Sequence, residues 1–234
     1  MKGTIAIIPA RGGSKRIPKK NIRQFCGKPI ISYSIEAAIE ADIFDEVMVS
    51  TDSEEIAELA LQYGASVPFM RSEKTAGDYA TTSEVVLEVI DNYKKLGKDF
   101  QYAACIYAAA PFVTSDKLCS AMKKLKENDV VEIMPVVKFS YPPMRGFIMK
   151  DDYLAMKWPE FLNTRSQDIE SLYHDCGQFY CYDIEKYQSL NGQIVDSIMP
   201  IIVSESEVQD IDSEEDWKIA EIKYQIMKGL NHER

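Results

Sequence analysis

The sequence predicts an α/β protein: a three-layer αβα, Rossmann-like arrangement around a mostly parallel sheet. Three observations carry that expectation. Short β-branched apolar runs alternate with amphipathic stretches through the first 140 residues. The rhythm breaks after Phe139 into a segment rich in aromatics, proline and turn signals. It then returns, with one more apolar run and a final amphipathic stretch.

The elements follow in order. TIAIIP (4–9) is apolar on both faces and reads as a buried parallel strand. PIISYSIEAAIEAD (29–42) places Ile31, Ile35, Ala38 and Ile39 on one helical face. DEVMVST (45–51) is a second strand. The helix after it has Ser53 at its start and Gly64 at its stop. VPFM (67–70) reads as a short third strand. TTSEVVLEVIDNYKKLG (81–97) is the clearest helix, with Val85, Val86, Val89, Ile90, Tyr93 and Leu96 apolar, and Thr82 is its expected cap. YAACIYAAAP (102–111) is a wholly apolar strand. TSDKLCSAMKKLKEN (114–128) turns Leu118, Met122 and Leu125 inward, and DVVEIMPVVKF (129–139) is strand again. Residues 140–182 read as an excursion of antiparallel strands and loops. IVDSIMPIIVSE (194–205) is a further strand, and 213–230 a final helix with Trp217, Ala220, Tyr224 and Met227 on one face. No repeat, low-complexity tract or linker divides the 234 residues, so a single domain spanning 1–234 is expected.

Composition excludes several classes. The net charge is −10, which disfavours a nucleic-acid-binding module, because polyanion binding needs a net basic face. No stretch approaches the roughly 18 apolar residues of a membrane span, so no membrane association is expected. The five cysteines are odd in number and contain no C-x-x-C pair. They read as reduced thiols, and with no secretory signal at the N-terminus a cytoplasmic location is expected.

The charge is segregated. Residues 1–35 contain no acid, and seven Lys or Arg lie between Arg11 and Lys28 inclusive. ESEVQDIDSEED (205–216) holds seven acids. The loop PARGGSKRIPKKN (9–21) leaves the carboxyl end of the first strand, where ligands bind in open parallel sheets. Gly12, Gly13 and Ser14 let backbone approach an anion. Arg11, Lys15 and Lys20 supply charge. The loop matches neither a Walker A nor a G-x-G-x-x-G motif. Its cations favour a diphosphate or triphosphate over a dinucleotide. Asp210 and Asp212, two apart, share a face on an extended chain and suit Mg²⁺ beside bound phosphates. The same Asp212, with Glu215, also reads as a helix cap, and the spacing leaves both readings open.

IIPARGGSKRIPKKNI resembles the signature loop of the cytidylyltransferases that activate nonulosonic acids, the CMP-sialic acid synthetase family. FMRSEKTAGDYATTSEVV (69–86) resembles the family's R-x-x-x-x-A-x-D-x-A segment, and VQDIDSEEDW (208–217) its late acidic segment. The similarity runs the length of the chain. YAAAPFV (107–113) and YHDCGQFY (173–180) depart from the sialic acid pattern and look like the pseudaminic acid branch.

What the resemblance implies is specific. The fold would be that of the nucleotide-diphospho-sugar transferases. The reaction would be attack of a sugar's anomeric hydroxyl on the α-phosphorus of CTP, with release of pyrophosphate. Arg11, Lys20 and Asp212 would be catalytic. Ala10, Arg11, Gly12, Gly13, Lys15, Lys20, Asn21, Arg71, Asp78 and Thr82 would bind the nucleotide. Tyr107, Arg145, Arg165, His174, Asp175, Gln178 and Tyr180 would line the sugar pocket, with His174 as a candidate general base oriented by a carboxylate. Asp210 and Asp212 would hold Mg²⁺. A homodimer is implied, contacting through the excursion and its aromatics Tyr141, Phe147, Tyr153, Trp158 and Phe161. Alternatives are the same chemistry on N-acetylneuraminic, legionaminic or Kdo-type sugars, or a nucleotide-sensing protein without catalysis.

Overall fold

Strand β1 (Gly3–Pro9) is buried on both faces, because each of its alternate side chains enters a different core. Ile5 and Ile7 pack on one side of the sheet, Ala6 and Ile8 on the other. This is a computed structural model, and it describes residues 2–229. A tight hairpin follows, β2 (Gln24–Phe25) and β3 (Lys28–Pro29), leading into α1 (Ile30–Glu40). Then come β4 (Glu46–Ser50), α2 (Glu54–Gln62), the single turn α3 (Glu73–Ala76), α4 (Thr82–Lys95) and β5 (Phe100–Ile106). Helix α5 (Ser115–Glu127) and β6 (Glu132–Lys138) complete the alternating half. A hairpin, β7 (Phe147–Lys150) and β8 (Tyr153–Met156), precedes β9 (Tyr173–Asp175), β10 (Phe179–Asp183), α6 (Ile184–Ser189), β11 (Ile198–Ile202) and α7 (Glu214–Met227).

The main sheet runs β11-β6-β10-β5-β1-β4, with β9 also paired to β6. β4, β1 and β5 pair in parallel, as do β6 and β11; β10 is antiparallel to both β5 and β6. Helices α1, α2 and α5 cover one face, through Ile31, Ile35, Ile56, Ala60, Leu118 and Met122. Helices α4 and α6 cover the other, through Val86, Val89, Ile90, Tyr93, Ile184 and Tyr187. The α/β class and the three layers are as the sequence predicts. A third cluster docks α7 beside α1 and the β2–β3 hairpin. There Phe25 meets Tyr33, Trp217 and Tyr224 edge-on at 5.5–5.6 Å between ring centres, a favoured aromatic geometry.

Several expectations are corrected. VPFM is not a strand. Only Ser66 bridges to β4, and Pro68 brings no N–H with which to extend a ladder. The strands of the excursion are antiparallel, as read, but its last one, Phe179–Asp183, is a central strand of the main sheet, between β5 and β6. Phe179 and Cys181 on one face signal burial, but the aromatic, turn-rich residues before them mask that. The cap of α4 is Thr81, not Thr82. Thr81 accepts from Glu84 N while the Glu84 carboxylate accepts from Thr81 N, a reciprocal box. Likewise α7 is capped by Ser213 with Asp216, one residue beyond the Asp212–Glu215 pairing expected. Ser53 stands at the start of α2 with no side-chain cap bond. Trp158 and Phe161 are half-buried, whereas Tyr141, Phe147 and Tyr153 are exposed. Leu230, assigned to the final helix, lies outside the described residues.

Candidate active site

The loop after β1 is held open by its neighbours. Ala10, buried, donates its N–H to Ser50 O at the end of β4 (2.9 Å). Gly12 N donates to Asp52 Oδ1 (2.8 Å), and a Cβ at Gly12 would stand 3.0 Å from Ser53 Cβ, so this close approach favours glycine. Asn21 is buried and its amide donates to Arg11 O (3.0 Å), tying the loop's end to its beginning. Ile17 is sunk into the aromatic cluster under α7. Lys19, at φ 53°, turns the chain into the short turn Lys20–Ile22 and pairs outward with Glu55 (2.7 Å). With backbone and apolar side chains pinned, the cations face a cleft.

That cleft has a volume of about 250 Å³ and sits at the carboxyl ends of β1 and β5. Arg11, Ser14, Lys15, Arg16 and Lys20 of the loop line it, together with Arg71, Thr82, Tyr107 and Asp212. Arg71 is buried, with Nε donating to Ser50 Oγ (3.1 Å) and Nη2 to Ser50 O (2.5 Å). Burial pulls its pKa down. Thr82 Oγ1 and Tyr107 OH lie 3.2 Å apart.

The D-I-D segment is organised by its middle residue. Ile211 is buried in the aromatic cluster, so the flanking Asp210 and Asp212 point outward. Lys20 Nζ donates to Ile211 O (2.7 Å) and stands 3.8 Å from Asp212 Oδ1; Arg16 Nη1 donates to Asp212 Oδ2 (2.6 Å). Burial lowers the Lys20 pKa, and Asp212 and Asp210 pull it back upward. Since Ser213 and Asp216 cap the helix, Asp212 has no cap side chain to serve. Two outward carboxylates are too few for a self-contained metal cage, and no group of three or more potential ligands occurs among the described residues. They fit a hard cation that keeps waters and shares a substrate's phosphate oxygens, as Mg²⁺ does.

Asp78 meets the basic loop from the segment before α4. Its carboxylate accepts from Lys15 and from Arg11 Nη1 (2.7 Å), and these bonds hold its pKa below the usual carboxylate range. Gly13 carries no crowding that would demand glycine.

Of the sugar-pocket candidates, only Tyr107 lines this cleft. Its ring meets Tyr180 edge-on at 5.5 Å, and Tyr180 OH donates to Asp175 Oδ2 (2.5 Å). Gln178 is buried behind them. Its carbonyl accepts from Tyr107 N (2.8 Å), its Nε2 donates to Glu207 O (2.6 Å), and its Oε1 has no partner. His174 is exposed on β9, beside Phe139, and its Nδ1 donates to the backbone carbonyl of Asp175 (2.9 Å) rather than to a carboxylate. Arg145 donates to Ser166 (3.1 Å) and Arg165 pairs with Asp168 (2.8 Å), both outside the cleft lining. The residues missed by sequence reasoning are Arg16, which the basic loop itself signals, and Asp52, which carries no signal beyond following a strand.

The αβα sheet with a cation-lined cleft at its strand ends defines an architecture shared by nucleotidyltransferases. A family model described as "Cytidylyltransferase" matches residues 5–148, and the chain belongs to that family. It is 38% identical over 230 residues to the pseudaminic acid cytidylyltransferase of Campylobacter jejuni, covering 98% of this chain and 97% of that one. It is 30% identical to the CMP-N,N'-diacetyllegionaminic acid synthase of Legionella pneumophila, covering 93% and 94%. In fold it is similar to a solved CMP:2-keto-3-deoxy-manno-octonic acid synthetase complexed with CTP (TM-score 0.69, 14% identity, 98% of this chain and 100% of that one).

Proposed function

We propose that this chain transfers CMP from CTP to the anomeric hydroxyl of a nonulosonic acid, pseudaminic acid, and releases pyrophosphate. The observation that carries the chemistry is the gathering of Arg11, Lys15, Arg16 and Lys20 around one cleft with Asp212, Arg71, Thr82 and Tyr107. The sugar assignment rests on the full-length similarity to the Campylobacter enzyme.

Phosphoryl transfer of this kind depends on positioning and on charge stabilisation at phosphoryl and leaving-group oxygens. Arg11 and Lys20, with Lys15, hold the β- and γ-phosphates and neutralise the departing pyrophosphate. The backbone at Ala10, Gly12 and Gly13 lets the triphosphate approach, and Asn21 keeps that backbone in place. Arg71 and Thr82 face the nucleoside. Tyr107 faces the sugar, backed by Tyr180, which is tied to Asp175, and by the buried Gln178. Asp210 and Asp212 would hold Mg²⁺, which supplies charge neutralisation at the phosphates when bound.

A homodimer is part of this reading. Phe147, Met149, Tyr153 and Leu154 on the β7–β8 hairpin are 60–79% exposed, and Met134, Val136, Tyr173, Ile198, Pro200 and Ile202 form an apolar groove on the β6–β11 edge. Surfaces of that kind are interaction sites. Light scattering giving twice the chain mass supports the dimer; a monomer at working concentration removes it. A cytoplasmic location is supported by five unpaired cysteines. No helix among the described residues is long and apolar enough to cross a membrane.

The test is pyrophosphate release from CTP and Mg²⁺ with pseudaminic, legionaminic, N-acetylneuraminic and Kdo acids. Release with pseudaminic acid is the expected result. Release with another acid alone keeps the chemistry and replaces the sugar. No release with any, from protein that binds CTP, overturns the enzymatic reading.

A further inference from the structure

The four cations that the basic loop gives to the cleft are all already paired, and with only two carboxylates. Asp78 spans Arg11 and Lys15, one oxygen to each; Asp212 spans Arg16 and Lys20. Asp212 has a second task at the metal in the reading above. Asp78 has none. It belongs to the segment between α3 and α4, 67 residues from Arg11 in the chain. A carboxylate bridging a guanidinium and an ammonium presents two oxygens to two donors. That is the arrangement a terminal phosphate would make with the same groups.

The segment carrying it, residues 77–80, buries no side chain in the core. Asp78 has a side chain 40% exposed, and Tyr79 next to it is 98% exposed. Two residues on, Ala80 lines the cleft, and Thr82 begins α4. The capping box of Thr81 and Glu84 fixes the chain behind it independently of Asp78. Release of Asp78 therefore leaves the helix start in place.

We propose that Asp78 is a built-in counter-anion occupying a phosphate seat of the cleft, and that it makes the site selective for ligands with two or more linked phosphates. The inference rests on the reading of this cleft as a triphosphate site. Binding is then an exchange: the ligand takes Arg11 and Lys15, and Asp78 goes to water. A triphosphate or pyrophosphate has the charge and reach to displace it. A nucleoside monophosphate does not reach this seat and leaves Asp78 where it is. On the way out, Asp78 returns to the cations as pyrophosphate leaves, which weakens retention of that product.

The experiment measures binding of inorganic pyrophosphate and of CMP by calorimetry, in EDTA, to the full chain and to Asp78→Asn. The expected result is about three- to tenfold tighter pyrophosphate binding by the variant, the scale of an exposed ion pair or two, with CMP unchanged. Equal tightening for both ligands means that only the field of a lost negative charge is felt, and overturns the proposal. Weaker pyrophosphate binding means Asp78 helps to hold the ligand, and also overturns it. If the unmodified chain binds no pyrophosphate while CMP binds normally, the triphosphate reading of this loop falls first, and the proposal with it. A Glu55→Gln control, removing the same charge from the Lys19 pair outside the cleft, is expected to leave pyrophosphate affinity unchanged; tightening equal to that of Asp78→Asn assigns the effect to net charge and overturns the proposal.

Discussion

Arg16 Nη1 donates to Asp212 Oδ2 across 2.6 Å, joining residues 196 positions apart. The loop after the first strand and the turn before the last helix thus form one side of the cleft. Lys20 makes a second join, to the carbonyl of Ile211. Both ends of the contact are anchored by the same aromatic cluster, which buries Ile17 from the loop and Ile211 from the turn. The chemistry-bearing side chains are therefore positioned by apolar neighbours one or a few residues away.

The first prediction concerns Asp212. Asp212→Asn keeps the size and removes the charge. Turnover with Mg²⁺ is expected to fall at least about 10–100-fold, the scale of disturbed metal ligation. The melting temperature is expected to stay close to that of the parent, because the α7 cap is made by Ser213 and Asp216. Pyrophosphate release and a thermal melt check both. Undiminished activity would remove Asp212 from the metal site.

Ser213→Ala separates the cap from the chemistry. The Ser213 hydroxyl accepts from Asp216 N (3.2 Å), and its loss is expected to cost about 1 kcal/mol. Denaturant unfolding measures it. A loss of activity much larger than the loss of stability would mean that the cap also sets the position of Asp212.

Much of this was legible before the fold was known. Gly12, Arg11 and Lys20 could be placed at the strand end because β1 is apolar on both faces and the loop follows it directly. The D-I-D alternation could be read because a single buried isoleucine turns both neighbours outward. Other features could not be read. β10 is central, yet its pairing with β5 and β6 depends on long-range register that no local pattern encodes. Thr81 and Thr82 offer equivalent hydroxyls, and only the reach of Glu84 decides between them. The pairing of Asp78 with Arg11 and Lys15, and the bond from Gly12 N to Asp52, come from chain segments brought together by the sheet. The cation-rich loop announces an anion, not the carboxylate that stands there first.

The last prediction concerns Glu132. It lies on β6 with 6% of its surface exposed and no hydrogen bond or ion pair to its side chain among the described residues. Burial raises its pKa to about 7, with a further upward push from the charge of Asp175. Cys105, Cys181, Tyr182 and Tyr187 are its other titratable neighbours, and burial raises all four, so none carries charge near neutrality. The folded state thus binds a proton more tightly than the unfolded chain, whose ordinary value is 4.5. Between about 4.5 and 7 the native form carries more bound protons, so stability falls as pH rises through that window. Above it the fold holds a buried, unpaired carboxylate at a cost of order 3 kcal/mol. Glu132→Gln is isosteric and cannot ionise. It is expected to raise the melting temperature by several degrees at pH 8, and by little or nothing at pH 4.5. Melting curves of both chains at the two pH values check it. An equal shift at both would trace the gain to packing, and a drop at pH 8 would mean that the ionised carboxylate is used by the fold.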